Sequence, residues 1–147
     1  NSPFRLHKSW VHEGGISSPC IVHWPRGIAD KGKLRHTPAH FIDILSTLTD
    51  LAGAAKPPTL GKSLVPAFAK DRVIERDAIF FHHLDNRAIR VGDWKLVTNG
   101  KGPWELYNLK TDRGETANLA GREPARAKAM AEHWERLNKE FAAQRAT

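Results

Sequence analysis

Between Ala78 and Tyr107 the apolar period is two, and two turn signals interrupt it. This stretch constrains the chain most. A period of two places alternate side chains on opposite faces of a strand, so the segment can only bury itself as a sheet. Ala78 to Phe81 is one expected strand. Ala88-Ile89-Arg90-Val91 and Trp94-Lys95-Leu96-Val97 flank Gly92-Asp93, and a Gly-led pair between two strands is a hairpin signal. Asn99-Gly100-Lys101-Gly102-Pro103 is a second turn, followed by Trp104-Glu105-Leu106-Tyr107. The expectation is an antiparallel meander of about four strands.

After it the period changes to that of a helix. Ala127, Met130, Trp134, Leu137 and Phe141 recur three and four apart behind Pro124. A single apolar stripe of this kind packs on the neighbouring sheet. Before the meander, Thr37-Pro38 reads as N-cap and first helical residue. Phe41, Ile44, Leu45, Leu48 and Leu51 give that helix one apolar face, and Gly53 ends it. Pro19-Cys20-Ile21-Val22-His23-Trp24-Pro25 is a short apolar run bounded by prolines and reads as a buried strand. Cys20, the one cysteine, cannot form an internal disulfide, and its apolar flanks predict a buried, inert thiol. Residues 54–77 form an irregular connection, with a subdomain boundary near residue 72.

Composition is that of a folded chain, with 40% hydrophobic and 27% charged residues. No apolar run approaches the roughly 20 residues of a membrane helix. Net charge is +7, which favours anionic partners, but the basic residues are scattered. No dense basic arm points to nucleic acid. The N-terminus has no initiator Met and no apolar signal region, which fits a chain cut from something longer.

Several chemical motifs fail on inspection. Gly61-Lys62-Ser63 ends like a phosphate-binding loop, but Lys56 stands where the first Gly is required. His36 and His40 lie four apart without a third metal ligand at a suitable spacing. His82 and His83 are adjacent, so a strand turns them to opposite faces. The most informative stretch is Lys8-Ser9-Trp10-Val11-His12-Glu13-Gly14-Gly15, which puts a lysine and a histidine on a loop. Its paired glycines allow a sharp turn or a close approach to a ligand.

The pattern K-x4-E-G-G-x3-P-x-I-x-x-W-P from Lys8 to Pro25 resembles the C-terminal signature of the sulfatase family, the arylsulfatases in particular. The resemblance continues through the helix after Thr37-Pro38, through Gly61-x-Ser63-Leu64, and through Asn86-Arg87-Ala88-Ile89-Arg90. It extends to Gly92-Asp93-Trp94-Lys95-Leu96, Glu105-Leu106-Tyr107-Asn108-Leu109, Glu115 and Asn118-Leu119.

It implies an α/β fold: the end of an alkaline-phosphatase-like α/β domain over residues 1–72. A small α+β subdomain follows over 73–147, with a four-stranded antiparallel sheet and a C-terminal helix. It implies hydrolysis of a sulfate ester, aryl or carbohydrate, at a formylglycine aldehyde hydrate with calcium beside it, in a periplasmic or secreted setting. Lys8 would be the catalytic residue that contacts the sulfate group, and His83 would approach the substrate. The family's C/S-x-P-x-R motif and its calcium carboxylates are absent from this sequence, and Ser17 stands where many members carry Arg. The chain alone is therefore expected to be inactive, to bind no calcium, and to need an N-terminal sulfatase region as partner. The alternative reading is a non-enzymatic basic module that binds sulfated glycans or other polyanions.

Overall fold

The computed structural model describes residues 2–145. The described chain forms two compact units. One runs up to Pro19 and resumes at Asp77; the other is Cys20–Arg76.

In the first unit, four strands follow one another: β1 (Ile79–His83), β2 (Asn86–Val91), β3 (Trp94–Thr98) and β4 (Glu105–Asn108). Every neighbour is antiparallel and the order is β1-β2-β3-β4, the expected meander. Val91 pairs with Trp94 across Gly92-Asp93, and Gly92 has φ +57°. A positive φ at the first of two loop residues matches the strand twist, which is why glycine stands there. The β1–β2 hairpin carries no such signal. His83 pairs with Asn86 across Leu84-Asp85, and Leu84 itself takes φ +53°. With neither Gly nor Asn at the bend, the sequence shows no turn, so the strands run further toward each other than their patterns predict.

The sheet buries both faces. On one, Ile89, Leu96 and Leu106 pack against Met130, Trp134 and Leu137 of the C-terminal helix α4 (Pro124–Arg145). Trp134 is the central ring. It stacks on Phe80 at 5.2 Å, and its indole N–H donates to the Phe81 carbonyl at 3.1 Å. On the other face, Ala88, Val97 and Tyr107 pack against Val11 and Leu109. Val11 precedes a one-turn helix, α1 (Glu13–Ile16).

The second unit departs from expectation in its apolar run and in its helix. Residues 19–24 form no strand, and Ile21 is 91% exposed. A strand needs a ladder partner for its N–H and C=O groups, and among the described residues none runs beside this run. Cys20 is exposed for the same reason, not buried. The helix α2 begins at Ile42, not at Pro38, and ends at Leu51 as its pattern predicts. Thr37 does not cap it. Its hydroxyl donates to the Arg72 carbonyl at 2.6 Å, while the Asp43 carboxylate reaches back to the His40 amide at 2.7 Å.

α2 also buries its polar side. Asp43, Ser46 and Thr47 are covered, whereas Phe41 is 81% and Leu48 58% exposed. The Gly61–Leu64 turn does the covering. The Lys62 amide donates to Asp43 at 2.9 Å and the Leu64 amide to the Thr47 hydroxyl at 2.9 Å. Arg76 completes the seat of Asp43 at 2.8 Å. A short helix, α3 (Val65–Ala69), follows that turn.

Candidate functional site

The segment before α1 is a strap laid over the sheet face opposite α4. Lys8 and Ser9 occupy the middle of a tight turn closed by the Trp10 amide on the His7 carbonyl at 3.2 Å. Lys8 is exposed at its apex. Ser9 has φ +80°, a region that side chains avoid. Holding it there costs on the order of 1–3 kcal/mol and persists only where the surroundings over-determine it.

Three sets of contacts supply that determination. First, Gly14 and Gly15 lie directly under the strap. The Gly14 amide donates to the Arg5 carbonyl at 2.9 Å. A Cβ on Gly14 would stand 2.2 Å from the Leu6 carbonyl oxygen, and one on Gly15 would stand 1.9 Å from that of Trp10. The paired glycines thus allow backbone to approach backbone, not ligand.

Second, Glu13 anchors α1 to the sheet through buried charges. Its carboxylate lies 3.1 Å from the Lys95 ammonium and 3.2 Å from the Arg113 guanidinium. Lys95 also pairs with Glu115 at 2.8 Å, and Glu115 accepts the Glu13 amide at 2.8 Å. Burial pushes the Glu115 carboxyl above the usual range, and the Lys95 charge opposes that rise. The same Arg113 donates to the Ser17 hydroxyl at 2.8 Å, so a guanidinium lies against Ser17.

Third, Arg5 ties the start of the strap to β4. It donates to Glu105 at 2.6 Å and to the Tyr107 hydroxyl at 2.5 Å. Burial would raise the Glu105 carboxyl, but hydrogen bonds from Arg5, Tyr107 and His12 hold it below the usual range. His12 is fully buried beside it at 3.4 Å, and burial depresses the imidazole to about 4. His12 is therefore neutral at pH 7 and fills the core under the strap.

The far edge of the strap meets the β1–β2 hairpin. The Asn86 side chain donates to the Ser9 carbonyl at 2.7 Å, and Asn86 pairs with His83 across the ladder. His83 is exposed at the end of β1, next to His82. His82 turns to the other face, where its ring lies 5.1 Å from Trp134 and bonds Asn138 at 3.2 Å. The structure thus links the Lys8 turn to the His83 position through one side chain, Asn86. Sequence reading passed over Asn86 as a site residue; an Asn at the start of a strand carries no chemical signal by itself.

Among the described residues, no group of three His, Cys, Asp or Glu is placed to hold a metal ion. The buried carboxylates Glu13, Glu115 and Asp43 are already matched by Lys95, Arg113 and Arg76. The residues present do not fit a calcium site.

The family described as N-sulphoglucosamine sulphohydrolase, C-terminal, matches residues 4–144. A Schizosaccharomyces pombe protein described as an uncharacterized sulfatase is 30% identical over 90% of this chain and 27% of its own length. Mouse N-acetylgalactosamine-6-sulfatase is 29% identical over 82% of this chain and 24% of its own. The chain thus spans about a quarter of the length of these curated relatives. Among solved structures, the crystal structure of Ps i-CgsB aligns with a TM-score of 0.74 at 25% identity, covering 93% of this chain and 32% of that one. A structure in complex with its substrate, D-glucosamine-2-N,6-O-disulfate, aligns with a TM-score of 0.54 at 26% identity, covering 69% of this chain and 24% of that one.

Proposed function

The chain belongs to the N-sulphoglucosamine sulphohydrolase C-terminal family and is the C-terminal portion of a sulfatase; from that premise we propose that the whole protein hydrolyses sulfate esters of a carbohydrate, with Lys8 as a sulfate-contacting residue. The observation that carries the reading is the turn at Lys8-Ser9. An exposed ammonium stands at the apex of a strained turn, and closely packed glycines, a buried charge cluster and Asn86 brace it. A solvated lysine needs no such support.

The chemistry follows from the side chain. An ammonium presents three donors and a compact charge. Aimed at sulfate oxygens that gain charge as the ester bond breaks, it stabilises the transition state more than the ground state. His83, at the strand position opposite Asn86, contributes to holding the substrate. The carbohydrate class is supported by the sugar sulfates named for the mouse relative and for the substrate complex.

This chain carries neither the family's nucleophile motif nor its metal carboxylates. Calcium, where the family uses it, supplies positive charge beside the sulfate, and other parts of the whole protein would hold it. The 147 residues alone are expected to give no turnover.

The test is Lys8→Ala in the complete protein, assayed on a sulfated monosaccharide. Turnover should fall roughly a hundredfold, the scale of losing one preorganised donor. Thermal stability should hold, because Lys8 is exposed. Unchanged kinetics would remove the role. Turnover by the isolated chain, abolished by the same substitution, would show that the remaining catalytic parts are not needed.

A further inference from the structure

We infer that Asn86 is a positioning residue for the Lys8 turn, with Asn99 as a second tie on the same turn. The inference rests on the reading of Lys8 given above. Asn86 opens β2 and is buried, yet both ends of its carboxamide are used across the chain. Its Nδ2 donates to the Ser9 carbonyl at 2.7 Å, and its Oδ1 accepts the Gly100 amide at 3.0 Å. These partners settle which end is nitrogen, since a carbonyl only accepts and a backbone amide only donates. One planar group therefore joins the Lys8 turn, the β1–β2 hairpin and the β3–β4 loop. The neighbouring Asn99 repeats the device from the loop side, with its Oδ1 accepting the Trp10 indole N–H at 3.0 Å.

Ser9 and Trp10 directly follow Lys8, so both ties act on the residues that set the lysine's direction. Ser9 is also where the backbone is strained, at φ +80°. Without the Asn86 donor the Ser9 carbonyl loses its partner, and the turn is free to leave that conformation. His83 pairs with Asn86 across the ladder, so the same residue holds the two candidate substrate contacts in register. Asn86 touches no reacting atom in this account; it acts by placing Lys8.

The discriminating variant is Asn86→Asp in the complete protein. It keeps the shape and the Gly100 bond but presents an acceptor to the Ser9 carbonyl. A misplacement of about 1 Å reduces rate as much as a hundredfold, so kcat should fall roughly tenfold or more while KM changes little. In a double-mutant cycle, Lys8→Ala with Asn86→Asp should be no slower than Lys8→Ala alone, because a positioning residue has nothing left to position. A slow Lys8→Ala beside an Asn86→Asp at the wild-type rate overturns this inference alone. So do two losses that multiply, which a merely structural defect would produce. A neutral Lys8→Ala overturns the reading of Lys8 and this inference together. If Asn86→Asp does not fold, Asn99→Ala removes the other tie from an exposed position, and wild-type turnover there overturns the inference.

Discussion

The Lys95 ammonium lies 2.8 Å from the Glu115 carboxylate, and both side chains are fully excluded from solvent. The Glu13 carboxylate stands 3.1 Å from the same ammonium. Lys95 comes from β3 and Glu13 from the one-turn helix, so this contact fastens the strap to the sheet. Taking three charges out of water is tolerable only while they satisfy one another.

Lys95→Met should therefore destabilise the sheet unit by about 3–5 kcal/mol, because it leaves the buried Glu115 carboxylate without its cation and Glu13 with Arg113 alone. Adding Glu115→Gln should recover part of the loss, since one of those carboxylates becomes neutral. Urea unfolding of the single and double variants checks both statements. Equal stability of Lys95→Met and wild type would show that the cluster is not desolvated.

Trp134→Ala should cost about 3–5 kcal/mol. The ring is 2% exposed, stacks on Phe80 and bonds the Phe81 carbonyl, so its removal opens a cavity and takes away that hydrogen bond. Trp134→Phe keeps the stacking and loses the N–H, and should cost about 0.5–1.5 kcal/mol, the net contribution of one hydrogen bond. Thermal melts followed by far-UV circular dichroism separate the two.

His12 makes stability depend on pH. Its imidazole falls from 6.5 to about 4 on folding, because burial penalises the charged form. The unfolded chain then binds the proton more readily, so the neutral core contributes stability above pH 6.5 that is lost as pH falls toward 4. Across that window the unfolding free energy should drop by roughly 3 kcal/mol from this residue. In His12→Gln that part of the slope should vanish. Denaturant titrations at several pH values compare the two, and identical slopes would refute the assignment.

The outward face of α2 predicts behaviour in solution. Phe41, Ile44, Leu45 and Leu48 form an exposed apolar stripe, which drives association. Phe41→Lys with Leu48→Lys should reduce self-association of the isolated chain and change its stability by no more than about 0.5 kcal/mol, as for exposed positions. In the complete protein the same pair should be destabilising, because a stripe of this kind is suited to pack on another part of that protein. Sedimentation velocity reads the first effect and thermal melting the second.

The meander and the last helix were legible in the residues because their signals are short-range. Apolar residues alternate with a charged one in Ile89-Arg90-Val91 and Trp94-Lys95-Leu96, and Gly92-Asp93 marks the bend. Met130, Trp134 and Leu137 repeat at helical spacing. The hairpin at Leu84-Asp85 was not legible, since a leucine at φ +53° carries no turn signature. The run from Cys20 to Trp24 misled, because an apolar segment reads as a strand whether or not a ladder partner exists beside it.

The sequence by itself determined the family, the antiparallel sheet, the helix that covers it, and Lys8 as the residue to test. Each depends on residue types at fixed short spacings. Only the tertiary structure decided why Glu13-Gly14-Gly15 stands after Lys8, which side of α2 is buried, and that Asn86 joins the Ser9 carbonyl to the strand position opposite His83. Those facts depend on groups far apart in the chain, such as Arg5 and Glu105, which are 100 residues apart yet bonded at 2.6 Å. Local pattern records which face a side chain takes. What it meets there depends on how the chain returns, and no spacing of a few residues encodes that.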